Sequence, residues 1–300
     1  MCGIIGLMLK SSAQRSDLGR LVQPMFDCMA ERGPDSAGLA IFSTTVGAGK
    51  RRFDLLAAAE DYDWLALHGK VEEELHHGGE IAPIADHAVL TTDVTPQAMR
   101  EWLAARAPEL TLLSVGRSMD VYKNAGNPRM LARRYHFAEL SGSHCVGHTR
   151  MATESRVSPA HAHPFTAGED FCLVHNGSLS NYHQLRRMLE AEGVRFETDN
   201  DSETACRLLQ WRMAGGETLD EALHSALSQL DGFYTLLMGT ADGMTLVRDG
   251  FACKPAVVAE TDRYVAVSSE FRSLAHLPDI ANANLFEPLP EAIYTWKVAA

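Results

Sequence analysis

The chain is 300 residues long, carries a formal net charge of −12 and is 46% hydrophobic. This length and composition allow one large domain, or two modest ones, with a sizeable buried core. The acidic balance argues against a nucleic-acid partner, because binding phosphates requires clustered Lys and Arg. No apolar run approaches the roughly 18 residues of a membrane span, and the amino terminus lacks the layout of a secretory signal. We therefore expect a cytoplasmic protein that does not contact a membrane.

The start of the chain predicts a strand, a helix and a second strand. Residues 3–9 are apolar and predict a buried strand, and residues 18–30 have the periodicity of an amphipathic helix. Gly and Pro indicate a turn at 32–36. Residues 38–42 then predict the second strand.

A long stretch, about 43–143, has a different character. It is polar and irregular apart from a helix predicted over 95–106, which Thr95 would cap, and a strand near 111–115. We interpret this stretch as an insertion into a single domain that spans 1–300. It is either a variable surface excursion or a docking element.

The second half of the chain alternates strong strand and helix signals. Strands are expected at 145–148, 170–175, 233–239, 244–248, 255–259 and 263–267, and helices at 180–191, 202–213 and 219–229. Thr218 and Glu221 would form a capping box at the start of the last of these helices. Antiparallel hairpins flanked by helix pairs predict a layered α+β domain and not a parallel βαβ winding.

Cys2 is the most informative residue of the chain. If Met1 is removed, which a small second residue permits, Cys2 carries both a thiol and a free α-amine. The thiolate is the effective nucleophile, whereas a free thiol is mostly protonated at neutral pH. An α-amine titrates near neutral pH and is suited to accept the thiol proton. The alternative is a small buried residue at the start of the first strand.

The six cysteines give no metal signal. They show no Cys-x-x-Cys spacing, so neither a zinc site nor an iron–sulfur site is indicated, and no disulfide is required. His161 and His163 have a metal-like spacing, but no third ligand lies at a suitable distance in the sequence. We therefore expect no metal and no cofactor in this chain.

Four further segments carry residues suited to an amide substrate. The 147–153 segment presents Arg150, whose guanidinium offers a carboxylate two parallel donors. The His-Asn-Gly turn at 175–177 offers a side-chain amide and a backbone N–H to one oxyanion. The carboxylates of 199–203 suit an ammonium group, and the loop 32–38 would cover the nucleophile. Each segment alone has a simpler explanation as a surface ion pair, a turn or a helix cap.

Together these segments resemble the class II glutamine amidotransferases, which are amino-terminal-nucleophile hydrolases. The match consists of Cys-Gly-Ile at 2–4, Arg-Gly-x-Asp-Ser-Ala-Gly at 32–38, Gly-His-Thr-Arg-x-Ala-Thr at 147–153, His-Asn-Gly at 175–177 and Asp-Ser-Glu at 201–203. These motifs occur in the family's order, and the resemblance covers 1–42 and roughly 144–275. It implies a four-layer αββα sandwich of two antiparallel sheets between helix layers, with an irregular insertion.

The resemblance also implies roles for individual residues. Cys2 is the implied nucleophile and its amine the base, while Asn176 and Gly177 form the implied oxyanion hole. Arg150 and Asp201 would bind the α-carboxylate and the α-amine of glutamine. Supporting positions are also implied, and these are Thr153, His163 and, in the loop over the nucleophile, Arg32, Gly33, Asp35 and Ser36.

The 43–143 stretch is similar to the long insertions of stand-alone, glutamate-synthase-type amidotransferase subunits, in particular the small subunit of N-methylglutamate synthase. The chain holds no Gly-rich phosphate loop and no room for a synthase. The resemblance therefore implies a glutaminase subunit that delivers ammonia to separate synthase chains. In such systems one partner carries FMN and an iron–sulfur cluster, and another has a β-helix domain, so a hetero-oligomer is expected.

Two other functions stay open. One is a non-catalytic scaffold subunit of such a complex, against which the intact set of catalytic and binding residues argues. The other is a free-standing amino-terminal cysteine hydrolase that acts on a different amide, such as a bile salt or a penicillin. The pairing of Arg150 with Asp201 argues instead for an α-amino acid substrate.

Overall fold

Two antiparallel sheets lie face to face at the centre of the protein. The computed structural model describes residues 2–152 and 156–298. Its strands are β1 (Gly3–Leu9), β2 (Ser36–Phe42), β3 (Arg51–Ala57), β4 (Gly79–Ile84), β5 (His87–Thr92), β6 (Leu110–Gly116), β7 (Met119–Ala125), β8 (His144–Arg150), β9 (Phe165–Thr166), β10 (Phe171–Leu179), β11 (Gly232–Thr240), β12 (Gly243–Arg248), β13 (Val257–Glu260), β14 (Tyr264–Ser268), β15 (Asn284–Phe286) and β16 (Ile293–Lys297). The first central sheet has the order β15-β13-β14-β1-β8-β2-β7, and the second has the order β16-β12-β11-β10-β9.

A layer of helices covers the outer face of each central sheet. The α-helices of the described residues are α1 (Leu18–Met29), α2 (Trp64–Leu75), α3 (Pro96–Arg106), α4 (Pro128–Arg134), α5 (Tyr182–Ala191), α6 (Asp201–Ala214) and α7 (Leu219–Leu227). Helices α1 and α4 pack on the seven-stranded sheet, and α5, α6 and α7 pack on the five-stranded sheet. The predicted αββα sandwich is therefore confirmed.

Strand β1 shows why the central strands read as continuous apolar runs. Ile5 and Leu7 face the α1 layer, whereas Ile4 and Met8 face the five-stranded sheet. Because successive side chains of a strand point to opposite faces, a strand covered on both faces, like β1, can be apolar at every position. All seven residues of β1 are buried.

Most of the elements predicted outside 43–143 are confirmed within a few residues. The capping box at the start of α7 is present, with the Thr218 side chain accepting from Glu221 N and the Glu221 side chain accepting from Thr218 N. Strand β10 continues four residues beyond the predicted end at 175. This extension places Asn176 and Gly177 inside a strand and not in a turn.

The 43–143 stretch contains more regular structure than the sequence predicts, so its description as irregular is wrong. Strands β3 to β6 form a third antiparallel sheet, ordered β4-β5-β3-β6, and α2 and α3 enclose a separate core with it. The strand predicted near 111–115 is present as β6. Strands β3, β4 and β5 were not predicted: β4 has no buried residue, and β5 lacks a regular alternation of apolar and polar residues. The next strand, β7, belongs to the seven-stranded sheet, where it pairs with β2 at the edge. The assignment of 1–300 to one domain stays a prediction.

Two negative findings concern the membrane and thiol chemistry. No helix within 2–152 and 156–298 combines the length and the hydrophobicity needed to cross a bilayer. All six cysteines are free thiols, and three of them are fully buried.

Removing a side chain from the space between the central sheets tests this packing. Leu237 of β11 is 0% exposed and lies in the core between the two sheets. We expect Leu237→Ala to lower the free energy of unfolding by about 2–5 kcal/mol, because a buried cavity replaces the side chain. Urea denaturation measures this change. The control Leu65→Ala removes a side chain that is 75% exposed, and it should change stability by less than about 0.5 kcal/mol. Equal effects of the two variants would contradict the assigned core.

Candidate active site

Strand pairing brings three of the predicted segments to one end of the seven-stranded sheet, and packing of the second sheet adds a fourth. Strands β1 and β8 pair with Gly3 opposite Thr149, so Cys2 lies beside Arg150. Strands β2 and β8 pair with Ser36 opposite Arg150, which places the 32–35 loop at the same end. Across the sheet interface, Asn176 of β10 reaches Cys2. The predicted grouping of these segments is thus present in the fold.

Main-chain and side-chain contacts hold Cys2 in place. Its Sγ accepts a hydrogen bond from Met151 N at 3.4 Å. Its carbonyl oxygen accepts from Arg32 Nε at 3.0 Å and from Asn176 Nδ2 at 3.2 Å. Met151 therefore contacts the half-buried thiol, while Arg32 and Asn176 hold the main chain of the same residue.

The loop predicted to cover the nucleophile supports the strand ends and does not line the substrate pocket. A Cβ on Gly33 would lie 2.2 Å from the Thr149 carbonyl carbon, so only glycine allows the two backbones to approach. Asp35 accepts from Ala152 N at 2.8 Å, while Arg32 also pairs with Glu270. Ser36 is buried within β2. These residues fix the geometry around Cys2.

A pocket of about 220 Å³ opens beside the Cys2 thiol. It is lined by residues of β8, β10 and the start of α6, together with neighbouring loops: Cys2, Arg150, Met151, His163, His175, Gly177, Ser178, Tyr182, Asp199, Asn200, Asp201 and Ser202. Arg150 is 5% exposed, and its burial lowers its pKa while the charges of Cys2, Asp35 and Asp201 raise it. The pocket thus presents one cation and two carboxylates, a set of charges that matches a zwitterionic α-amino acid.

The acidic segment before α6 divides into residues that cap the helix and residues that face the pocket. Asn200 caps α6 by accepting from Ser202 N at 2.9 Å. Glu203 turns back to accept from Thr198 N at 2.7 Å. Asp201 accepts from Leu179 N at 2.9 Å and still lines the pocket. Asp199 lies 2.9 Å from His161 Nε2, a hydrogen bond that lowers the pKa of Asp199.

Asn176 and Gly177 lie in β10, where the second sheet meets Cys2. Gly177 has φ +152°, and a Cβ there would lie 1.9 Å from Phe233 O, so the position excludes other residues. Asn176 Nδ2 donates to Cys2 O and to Ser269 Oγ, the latter at 3.1 Å. Both amide hydrogens of Asn176 are thus in use, so binding an oxyanion requires Nδ2 to exchange or share one of these bonds.

Three buried histidines lie at the pocket: His163 and His175 line it, and His148 lies behind them. The His148 and His163 rings lie 4.1 Å apart, and His175 Nδ1 lies 2.8 Å from Ser202 Oγ. Burial lowers the pKa of His148 to about 3 and that of His163 well below its ordinary value. Burial also lowers the pKa of His175, against the opposing charge of Asp201. Within 2–152 and 156–298 no group of three or more His, Cys, Asp or Glu is arranged to hold a metal ion.

Lys123 of β7 is a further buried group that sequence reasoning missed. Its Nζ donates to Ala162 O at 3.0 Å and to Pro164 O at 3.1 Å, the two carbonyls on either side of His163. Burial lowers the pKa of Lys123 to about 8, although the charges of Glu197 and Glu203 oppose this shift. The lysine therefore anchors the segment that carries a pocket histidine.

One predicted site residue lies outside the described part of the chain, and two residues that contact the site were not predicted. Thr153, predicted to support the substrate site, lies outside the described residues. Ser269, which accepts from Ile4 N at 2.9 Å and contacts Asn176, has no local motif that would have revealed it. The alternation of β8 would have pointed to His148, since His144, Val146 and His148 must face the same sheet.

Comparison with known proteins shows which family the chain belongs to. A family model described as a glutamine amidotransferase domain matches residues 148–276. The chain is 47% identical to the glutamine amidotransferase-like protein GlxB of Rhizobium meliloti, over 99% of this chain and 98% of that protein. It is 31% identical to a candidate glutamine amidotransferase of Methanothermobacter thermautotrophicus, over 98% of this chain and 99% of that protein.

A solved structure shows the same architecture. The glutamine phosphoribosylpyrophosphate amidotransferase from B. subtilis matches with a TM-score of 0.60 and 18% identity, over 99% of this chain and 49% of that chain. At this identity the likeness establishes only that the two chains share a fold. The near end-to-end match to the Rhizobium meliloti relative is more specific. The chain belongs to the glutamine amidotransferase family.

The buried Lys123 leads to a prediction for how the free energy of unfolding changes with pH. The unfolded Lys123 keeps its proton up to its ordinary pKa of 10.5, whereas the folded one releases it near pH 8. Between these values the unfolded state binds more protons, so stability rises with pH. We expect the difference in unfolding free energy between wild type and Lys123→Met to shift in favour of wild type by about 1.4 kcal/mol per pH unit from pH 8 to 10.

Urea denaturation at several pH values measures this difference. The control Lys70→Met removes an exposed lysine of α2, so its difference from wild type should stay constant over the same range. A constant difference for Lys123→Met as well would show that its ammonium is not buried.

Proposed function

We propose that this protein is a glutaminase that hydrolyses the side-chain amide of glutamine through Cys2 once Met1 has been removed. The single observation that supports this most strongly is the pocket beside the Cys2 thiol, which faces Arg150 together with Asp201. Arg150 would bind the α-carboxylate and Asp201 the α-ammonium group. Membership of the glutamine amidotransferase family supports the same substrate.

The reaction follows from the groups around the thiol. The α-amine of Cys2 takes the thiol proton, and the thiolate attacks the side-chain carbonyl carbon, forming a C–S bond. Asn176 and Gly177 stabilise the resulting oxyanion, an interaction that is typically worth a factor of about 10²–10³ in rate for one donor. The C–N bond of the amide then breaks. The α-ammonium group of Cys2 donates its proton to the departing nitrogen, which leaves as ammonia. Water hydrolyses the γ-glutamyl thioester to glutamate and restores the thiol.

Supporting residues would act through Cys2 and the pocket wall. The Met151 N–H contact with Sγ at 3.4 Å would hold the sulfur in place beside the pocket. His163 stays neutral through burial, so it would shape the pocket without adding charge. Thr153 is proposed to complete the substrate site from the segment that follows Arg150.

We further propose that the ammonia passes to separate synthase chains of glutamate-synthase type, in an N-methylglutamate synthase-like complex. The partners would carry FMN and an iron–sulfur cluster in one chain and a β-helix domain in another. The separate core of β3 to β6 with α2 and α3 supports a docking role for the insertion. In such a complex the Cys2 site would act on glutamine or on a related γ-glutamyl amide. Six free cysteines are consistent with a cytoplasmic location.

Replacing the nucleophile tests the proposed reaction. We expect wild type to hydrolyse glutamine and to be alkylated at Cys2 by 6-diazo-5-oxo-norleucine, and Cys2→Ala to lose both properties because no other thiol lines the described pocket. Intact-mass analysis should show an amino terminus without Met1. Cys253→Ala, which removes an exposed thiol, is the matched control and should behave like wild type.

The other outcomes identify the competing functions. Neither turnover nor labelling in any preparation would favour a scaffold subunit. Labelling of Cys2 without glutamine hydrolysis would favour a hydrolase for a different amide. Active material that retains Met1 or an acetyl cap would falsify the mechanism.

Isolation of the complex tests the proposed partners. We expect the tagged chain, purified from its native host, to carry additional subunits that mass spectrometry identifies and a flavin absorbance that comes from them. Cys2→Ala should retain the same subunits, because the thiol belongs to the pocket and not to the insertion. A chain that elutes alone and hydrolyses glutamine at full rate would contradict the proposed complex.

A further inference from the structure

We propose that His148 is a positioning residue that fixes the side-chain amide of Asn176 and thereby orients the donor beside Cys2. His148 lies on β8 and does not line the pocket, whereas Asn176 lies on β10 of the other sheet. The contact between them therefore spans the interface between the two central sheets. The catalytic part of this inference rests on the proposed function of Cys2.

The tautomer of His148 is set by a main-chain carbonyl. Its Nε2 lies 3.1 Å from His175 O and 2.9 Å from Asn176 Oδ1. A carbonyl oxygen only accepts hydrogen bonds, so Nε2 must carry the proton. Burial lowers the pKa of His148 to about 3, which keeps the ring neutral at physiological pH. His148 thus presents a fixed N–H donor to Asn176.

This donor in turn selects one orientation of the Asn176 amide. With Oδ1 facing His148, Nδ2 faces Cys2 O at 3.2 Å and Ser269 Oγ at 3.1 Å. Rotating the amide by half a turn would place Nδ2 against the His148 N–H and Oδ1 against the Cys2 carbonyl oxygen. Both contacts would be repulsive, in a site where Asn176 is almost fully buried and water cannot compensate. Without His148 this preference weakens.

The same strand provides a matched control residue. His144 is also fully buried, also faces the second sheet, and its Nε2 contacts Thr240 O at 2.9 Å. Burial lowers its pKa to about 4. It therefore shares the burial, the neutral state and the inter-sheet carbonyl contact of His148. It does not contact Asn176 in the described structure, so it separates a structural contribution from a positioning one.

The kinetic experiment compares five variants with wild type in glutamine hydrolysis. We expect Asn176→Ala to lower kcat by about 10²–10³ and His148→Leu to lower it by about tenfold, with little change in KM. The double variant should fall no further than Asn176→Ala, because there is no amide left to orient. His148→Gln, which keeps an N–H donor at similar reach, should recover activity to within about threefold of wild type, and His144→Leu should match wild type.

Three results would overturn the proposal. These are a double variant in which the two losses multiply, a His144→Leu variant as impaired as His148→Leu, and a His148→Gln variant no better than His148→Leu. Failure of the proposed function looks different, since wild type would then neither hydrolyse glutamine nor react with 6-diazo-5-oxo-norleucine.

A second measurement does not depend on turnover. In protein labelled with ¹⁵N-histidine, we expect His148 to remain the neutral Nε2–H tautomer from about pH 5 to 8, a range in which an ordinary histidine titrates. Asn176→Ala should shift its Nε2–H signal, whereas the signal of His144 should stay in place. Protonation of His148 in this range, or an Nδ1–H tautomer, would overturn the proposal even if the enzyme is inactive.

Discussion

The pairing of β1 with β8 is the constraint on which the site depends. With Gly3 opposite Thr149, the second residue of the chain is forced to lie beside an arginine that comes almost 150 positions later. A slip of one residue would turn every side chain of β1 to the opposite face. The slip would also bring side chains to the positions of Gly3 and Gly6, where a Cβ would lie 2.8 Å from Thr149 Oγ1 and from Leu237 Cδ2, so the close packing of the sandwich also fixes the position of the thiol.

The two central sheets meet at the site through polar contacts as well as apolar ones. Asn176 reaches from the second sheet to the main chain of Cys2, and His148 reaches from the first sheet to the main chain of His175. Buried polar groups of this kind are favourable only when their partners are in place. The site therefore requires the two sheets to be correctly apposed. Any other placement of one sheet on the other would leave a buried amide or imidazole without its hydrogen-bond partner, and this would be unfavourable.

The sequence allowed much of the sandwich and its site to be predicted, because the central strands and the amphipathic helices have clear periodicity and the motifs lie at their ends. It revealed β6 but not β3, β4 or β5, since β4 has no buried residue and β5 lacks a regular alternation of apolar and polar residues. It also did not reveal Lys123 or Ser269. Their contacts with the site come from tertiary packing between distant segments, and no local pattern encodes such contacts.

Strand β7 has a double attachment that ties the insertion to the substrate site. It is the edge strand of the seven-stranded sheet, and it follows directly after the last strand of the additional sheet. It also carries Lys123, whose ammonium group donates hydrogen bonds to the 162–164 segment. The insertion is therefore not a detachable module. If evolution or engineering replaced the insertion with another segment, that segment would have to provide a new edge strand for the seven-stranded sheet. It would also have to provide a new contact that holds the 162–164 segment beside the pocket.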